Sequence, residues 1–366
     1  MTGRHDEREP SAGRPLGLGA LVAIMALAVG LRLASPGAVE FKLDEIEPLA
    51  LADEVWTAGH FPLTRGVTSF GLPGTPLLGY LLVLPRVLSA DPRLAVLAMG
   101  LLGSTAVAAT YLGVRRFAGE RLAILSAALY AANPWAVFLT RKTWSQVLPL
   151  TTVLILWAAY EVVWLRRPRW AVAFFALLAL QVQTHLVAVV YLPAALLTVL
   201  AFWPRWRHRY TAWGLALAAA ILLPYVAALG AQWPATRAVL AGRAGQGLAF
   251  DPAAFRYGLW LTSGATFTAL LGQSAPMLGG WEAALRAVSL LTGALLLWGL
   301  GRCAHALLRK PAPERQALLL VWLGAPLLAF TVLPGLGGIH YLQSAIPALF
   351  LLAAVGWEGL VGGRRW

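Results

Sequence analysis

Eleven apolar runs of spanning or near-spanning length follow one another along the chain, at 15–34, 75–89, 94–114, 122–140, 145–164, 170–184, 186–203, 211–229, 283–301, 316–333 and 341–357. A helix needs roughly 20 apolar residues to cross a bilayer, and in lipid only helices and closed barrels satisfy every backbone polar group. The runs are continuous rather than alternating, which excludes a barrel. The sequence therefore predicts an all-α, polytopic helical membrane protein with about 10–11 transmembrane helices. A composition of 59% hydrophobic and 12% charged residues over 366 positions excludes a soluble globular chain.

The first run has no small-residue cleavage signature and is followed by Pro36, so it reads as a retained span. The single cysteine, Cys303, forbids an internal disulfide and argues against a cysteine metal site. A net charge of +13 would suit nucleic acid in a soluble protein; beside so many spans it reports loops next to anionic lipid. Arginine clusters precede the first span (Arg4, Arg8, Arg14) and recur at Arg166, Arg167 and Arg169 and at Arg205, Arg207 and Arg209. Others are Arg302, Arg309, Lys310 and Arg315, and Arg364 with Arg365. By the positive-inside rule these are cytoplasmic, as are both termini. The expectation is one integral domain over 1–366 in the plasma membrane, with a cytoplasmic tail at 1–14. Its outer segments are then 35–74, the turns near 140–145 and His185, the loop 230–258, and 334–341. If Arg115, Arg116 and Arg121 are also inside, an odd number of crossings must lie between 75 and 114, where two runs compete.

Six of the sixteen acids, Glu40, Asp44, Glu45, Glu47, Asp53 and Glu54, fall within the fifteen residues 40–54. Apolar side chains at 49, 52, 55 and 56 predict that 48–59 forms a helix on the outer membrane surface, with Trp56 at headgroup level. The other outward polar groups are His60 and Arg65, then Arg141 and Lys142, His185, and His340 with Tyr341. Ionisable groups at membrane depth are costly and mark sites or pathways. A carboxylate can take the proton of an attacking hydroxyl, while Arg, Lys and His bind a departing phosphate. His185 also suits a satisfied interior histidine, and Lys142 a snorkelling interfacial residue. No cofactor and no metal ligand is assigned. An Asp/Glu pair suits a hard divalent cation, but only Asp251 offers a further outward acid.

The order of these motifs resembles the GT-C superfamily of polyprenyl-phosphate-sugar-dependent membrane glycosyltransferases. Within it the pattern is similar to the protein O-mannosyltransferases, the lipid A aminoarabinose (ArnT-like) transferases and the RgtA-D-like bacterial proteins. Asp44-Glu45 matches the acidic motif of their first outer loop, and LPGTPLLGYLL (72–82) resembles the Pro-rich start of their next helix. NPWAVFLTRKTWSQ (133–146) resembles a later Pro…Arg element, with Arg141 in the arginine position. QTHL (183–186) and IHYLQSAIPALFLLAAVG (339–356) follow in the family's order. Gln146 stands where many relatives carry an acid. The resemblance implies a GT-C-like fold and an inverting hexosyl- or pentosyltransferase. Its donor would be a polyprenyl-phosphate-linked sugar and its acceptor a lipid, glycan or protein of the cell envelope. In that reading Asp44 is the general base, and Glu45 orients it or binds sugar. Arg141 neutralises the leaving phosphate with help from Arg65, Lys142, His185 or His340, and Tyr341 is a further substrate-binding residue. The competing expectations are a multi-span transporter or lipid flippase, which would need inverted repeats not seen here, and a non-catalytic member of the family.

Overall fold

The computed structural model describes residues 16–39, 41–68, 71–143, 149–245, 247, 250–267, 281–309, 314–333 and 338–361. The tail 1–14, Glu40, Gln146, Lys310, Arg364, Arg365 and part of the 334–341 loop lie outside them. The described chain is helical apart from a two-stranded ribbon.

Helix α1 (Leu16–Leu33) leads through a short 3-10 turn into α2 (Leu43–Ala58), so Asp44 lies in the first turn of a helix rather than in a loop. Helix α2 starts five residues earlier than its apolar pattern suggested, because Lys42 and Glu45 close a capping box. It buries Leu51, Ala52 and Val55. Ala52 packs with Leu78 and Leu82 of α3 (Leu77–Leu88) and with Ala95 and Met99 of α4 (Pro92–Ala118). Arg86 of α3 grips Asp53 at 2.5 Å and ties the two short helices together. At 1.5 Å rise per residue α3 is about 18 Å long, far short of the ~30 Å hydrocarbon core, whereas α4 reaches about 40 Å. Of the two, only α4 is long and apolar enough to cross a membrane. Tyr111 of α4 donates to the Gly17 carbonyl, which sets Arg115 and Arg116 at the start of α1, the end of the bundle opposite α2.

The apolar run 122–140 is not one straight helix. It is α5 (Glu120–Ala132) and α6 (Pro134–Thr140), bent by 64° at Asn133-Pro134. Pro134 has no N–H for the Tyr130 carbonyl, and the bend leaves the end of α5 short of donors. Arg32, wholly buried in the last turn of α1, supplies them, reaching Ala131 O at 3.1 Å and Tyr130 O at 3.2 Å. Asn133 caps α6 through the Ala136 N–H (2.9 Å). Its amide donates to the Leu261 and Thr262 carbonyls in α13 (Ala253–Ser263).

Helices α7 (Pro149–Val163) and α8 (Trp170–Thr184) form a hairpin pair, followed by α9 (Leu192–Ala201), α10 (Trp203–Trp206), α11 (Arg209–Ala231) and α12 (Trp233–Gly245). After α13 come α14 (Trp281–Arg309), α15 (Glu314–Val332) and α16 (Ile346–Leu360). Among the described residues five helical segments are long and apolar enough to cross a membrane, the bent α5–α6 pair makes a sixth if taken as one span, and five shorter apolar helices accompany them. The chain is a multi-pass membrane protein. Aromatic side chains fill the middle of the bundle, where Tyr130 stacks on Phe350 and Phe174 lies between Trp206 and Trp322. Helices α14 and α16 meet backbone to backbone at Gly299 and Gly356. A Cβ on either would land on the facing carbonyl, of Leu352 or Leu295.

Candidate active site

Five segments bring ionisable groups to one end of the bundle, namely α2, the ribbon, the end of α6, the turn after α8, and the 3-10 turn Ile339–Ala345 that enters α16. Glu45 and Lys142 are the most deeply placed. Their side chains are 0% and 2% exposed, and Nζ donates to Oε1 at 2.7 Å. The other Glu45 oxygen accepts the Lys42 N–H at 3.0 Å, and Thr143 Oγ1 donates to the Glu45 carbonyl at 3.1 Å. Both partners are thus engaged with one another, and the pair fixes the start of α2 against the end of α6. Lys142 also lies 5.2 Å from the centre of the Phe138 ring.

Asp44 is exposed one residue before Glu45. Its charge is felt by Arg65 and by His340. Arg65 opens strand β1 (Arg65–Val67), which pairs antiparallel with β2 (Pro73–Gly74) in the register Arg65↔Gly74. Only glycine fits at 74, because a Cβ there would stand 2.7 Å from Arg65 Cγ. Arg65 donates to Glu47 Oε2 at 2.9 Å. Burial draws its guanidinium below the usual arginine range, while Glu47 first and then Asp44 favour the charged form. Tyr225 of α11 is a further neighbour of Arg65, and its hydroxyl donates to the Pro73 carbonyl at 2.7 Å.

His185 caps the end of α8, and its Nδ1 accepts the Val187 N–H at 3.0 Å. Burial, with the charges of Arg65 and His340 beside it, pushes this imidazole down to about 3. The ring is therefore neutral near pH 7, and its one proton sits on Nε2, a donor. Tyr341 stands between the two histidines, 6.2 Å from the His185 ring and 4.2 Å from the His340 ring, with Phe330 stacked against it. His340 lies within the field of Lys142 as well as that of Asp44.

Asp44, Arg65, His185, His340 and Tyr341 are thus gathered into one cluster, with the Glu45–Lys142 pair beneath it. Arg141 is placed differently. It donates to the Ser35 carbonyl at 2.7 Å, and none of the described contacts links it to Asp44 or Arg65. Glu47, an acid of the same segment as Asp44 and Glu45, joins the cluster as the partner of Arg65. Tyr225 joins it without having been singled out by the sequence, since it sits in an apolar run where nothing but the adjacent Pro224 marks it. His60 faces away and pairs with Glu54 at 2.5 Å. Among the described residues no group of three or more His, Cys, Asp or Glu side chains could hold a metal ion.

Two cavities lie beside the cluster. One, of about 240 Å³, is lined by Glu47, Glu54, Thr64 and Arg65 together with Ala50 and Leu51. The other, of about 230 Å³, is an apolar groove between α3, α8 and α11, lined by Leu63, Leu77, Tyr80, Ile221 and Tyr225. It reaches the cluster through Tyr225.

The model of the family described as dolichyl-phosphate-mannose-protein mannosyltransferase matches residues 74–228. A comparison with curated proteins returned no match. Among solved structures the chain is similar to ArnT from Cupriavidus metallidurans bound to undecaprenyl phosphate (TM-score 0.62, 15% identity), covering 94% of this chain and 59% of that one. It is also similar to the oligosaccharyltransferase AglB from Archaeoglobus fulgidus in complex with an inhibitory peptide and a dolichol-phosphate (TM-score 0.55, 14% identity). That match covers 96% of this chain and 52% of the other. The chain thus spans between half and three fifths of the length of these two structures. At these identities the two structures show that this chain shares their helical fold, and the family match covers residues 74–228 of it.

Proposed function

We propose that this chain transfers a sugar from a polyprenyl-phosphate donor to a hydroxyl of a lipid, glycan or protein acceptor, with inversion at the anomeric carbon. The observation that carries the reading is the juxtaposition of an exposed carboxylate, Asp44, with a buried guanidinium, Arg65, whose neighbour Tyr225 lines an apolar groove. The prenyl chain lies in the groove and its phosphate against Arg65. Asp44 takes the proton of the acceptor hydroxyl as that oxygen bonds to the anomeric carbon. The bond from this carbon to the phosphate oxygen breaks on the opposite side, and the phosphate departs with both electrons and its added charge held by Arg65. His185 Nε2–H and Tyr341 supply hydrogen bonds to the phosphate or the sugar. Glu45 positions α2 rather than touching substrate, and Lys142 acts through Glu45. Undecaprenyl phosphate in ArnT and dolichol-phosphate in AglB support this class of donor. The site lies at the end of the bundle opposite Arg115, Arg116, Arg167 and Arg315, which supports transfer on the extracytoplasmic face.

The test is release of polyprenyl phosphate by the purified chain from a panel of polyprenyl-monophosphate sugars, with a membrane-glycan extract as acceptor. Wild type releases it and Asp44→Asn does not, at equal folded protein. Full release by the variant overturns the assignment of the base.

A further inference from the structure

We propose that a groove between α5 and α16, at the end of the bundle away from the cluster, is a binding site for a zwitterionic aminophospholipid, with the lipid phosphate on Arg121 and its primary ammonium on Glu358. The groove has a volume of about 400 Å³, and its walls are Leu125, Ala128, Ala354 and Val361, with Trp357 at the mouth. Both named charges line it. Arg121 is exposed near the start of α5 and forms no ion pair among the described residues. Its neighbours are already engaged, Arg115 by Glu120 at 2.8 Å and Arg116 by buried Glu161 at 3.2 Å. Glu358 lies in the last turn of α16, and its Oε2 is buried without a hydrogen-bond partner among the described residues. The cation on the adjoining helix, Arg302, donates to the Val355 carbonyl at 2.7 Å.

A carboxylate oxygen shut away from water without a donor is costly, so a donor in the groove would be strongly favoured. Trp357, 43% exposed, marks headgroup depth. One guanidinium and one carboxylate facing a shared apolar trough complement a phosphate and an ammonium joined above acyl chains. The carboxylate adds a discrimination. A primary ammonium donates hydrogen bonds to Glu358, a quaternary ammonium has no N–H to give, and a headgroup without a cation leaves the carboxylate facing only negative charge.

The experiment loads the full chain, purified in detergent, with phosphatidylethanolamine, phosphatidylcholine or phosphatidylglycerol of matched acyl chains and reads retained lipid by native mass spectrometry. Phosphatidylethanolamine is expected to be retained about tenfold more than the other two, the worth of one charge-assisted hydrogen bond. Glu358→Ala should abolish that preference, and Arg121→Ala should lower retention of all three. Equal retention of the three lipids by wild type overturns the proposal whether or not either variant folds. So does a preference that survives in folded Glu358→Ala.

Discussion

Lys142 and Glu45, 97 residues apart in the sequence, form a 2.7 Å ion pair sealed from solvent, and this pair holds the first turn of α2 against the end of α6. Removing one member strands a buried charge, which costs about 3–5 kcal/mol, whereas removing both costs far less. Glu45→Gln and Lys142→Met should each lower the melting temperature in detergent, and the double variant should recover most of the loss. A Lys142→Met protein that melts like wild type yet fails to bind donor would make Lys142 a substrate residue instead.

Asp44 and Arg65 should separate into two kinetic effects. Loss of a general base lowers turnover by roughly 10²–10⁴-fold. Asp44→Asn should therefore reduce kcat with little change in donor KM or in melting. Arg65→Lys keeps the charge but loses the fork, so donor KM should rise together with a fall in kcat. If Arg65→Lys leaves both constants unchanged while Arg141→Lys raises KM, the phosphate is held at Arg141.

The His185 imidazole carries a pH signature. The unfolded chain binds this proton below its ordinary value of 6.5, and the folded chain binds it only below about 3. The unfolded state therefore holds more protons in that window. The neutral ring's contribution to stability is complete above pH 6.5 and is lost as the pH falls towards 3. Melting temperatures of wild type and His185→Gln measured from pH 7 to 4.5 should converge on acidification, by up to about 1.4 kcal/mol per pH unit. Parallel curves would show that the ring is not held neutral.

The α14–α16 contact should tolerate no side chain at its crossing. Gly299→Ala and Gly356→Ala each drive a methyl into a backbone carbonyl, and overpacking of this kind costs about 1–3 kcal/mol or more. Both variants should show reduced folded yield and melting temperature. Gly301→Ala, at a position with open space around it, is the control and should behave as wild type.

Much of this architecture was legible in the sequence because lipid imposes a simple rule, that long apolar runs become helices. The rule misleads where apolar surface is buried by protein instead. Residues 75–89 look like a span, but they form a twelve-residue helix whose Leu78 and Leu82 pack against Ala52, Ala95 and Met99. The segments that carry the cluster could be read in advance, since Asp44 and Arg65 fall in the polar stretch between two apolar runs, and His185 and His340 border such runs. What these groups do to one another could not. The Glu45–Lys142 pairing, the engagement of Arg65 by Glu47 and the approach of Tyr225 all depend on long-range packing that no local pattern encodes.

Arg32 carries a last consequence. It joins the end of α1 to the bend between α5 and α6, and from the same stretch Ser35 accepts a hydrogen bond from Arg141. The chain leaves this double tether at Ser35, within the same connection that leads into α2 and Asp44. The height of the carboxylate is thus gauged against the protein's own interior rather than against the surrounding lipid. In thinner or thicker bilayers α2 should ride with the bundle, and transfer should depend little on acyl-chain length.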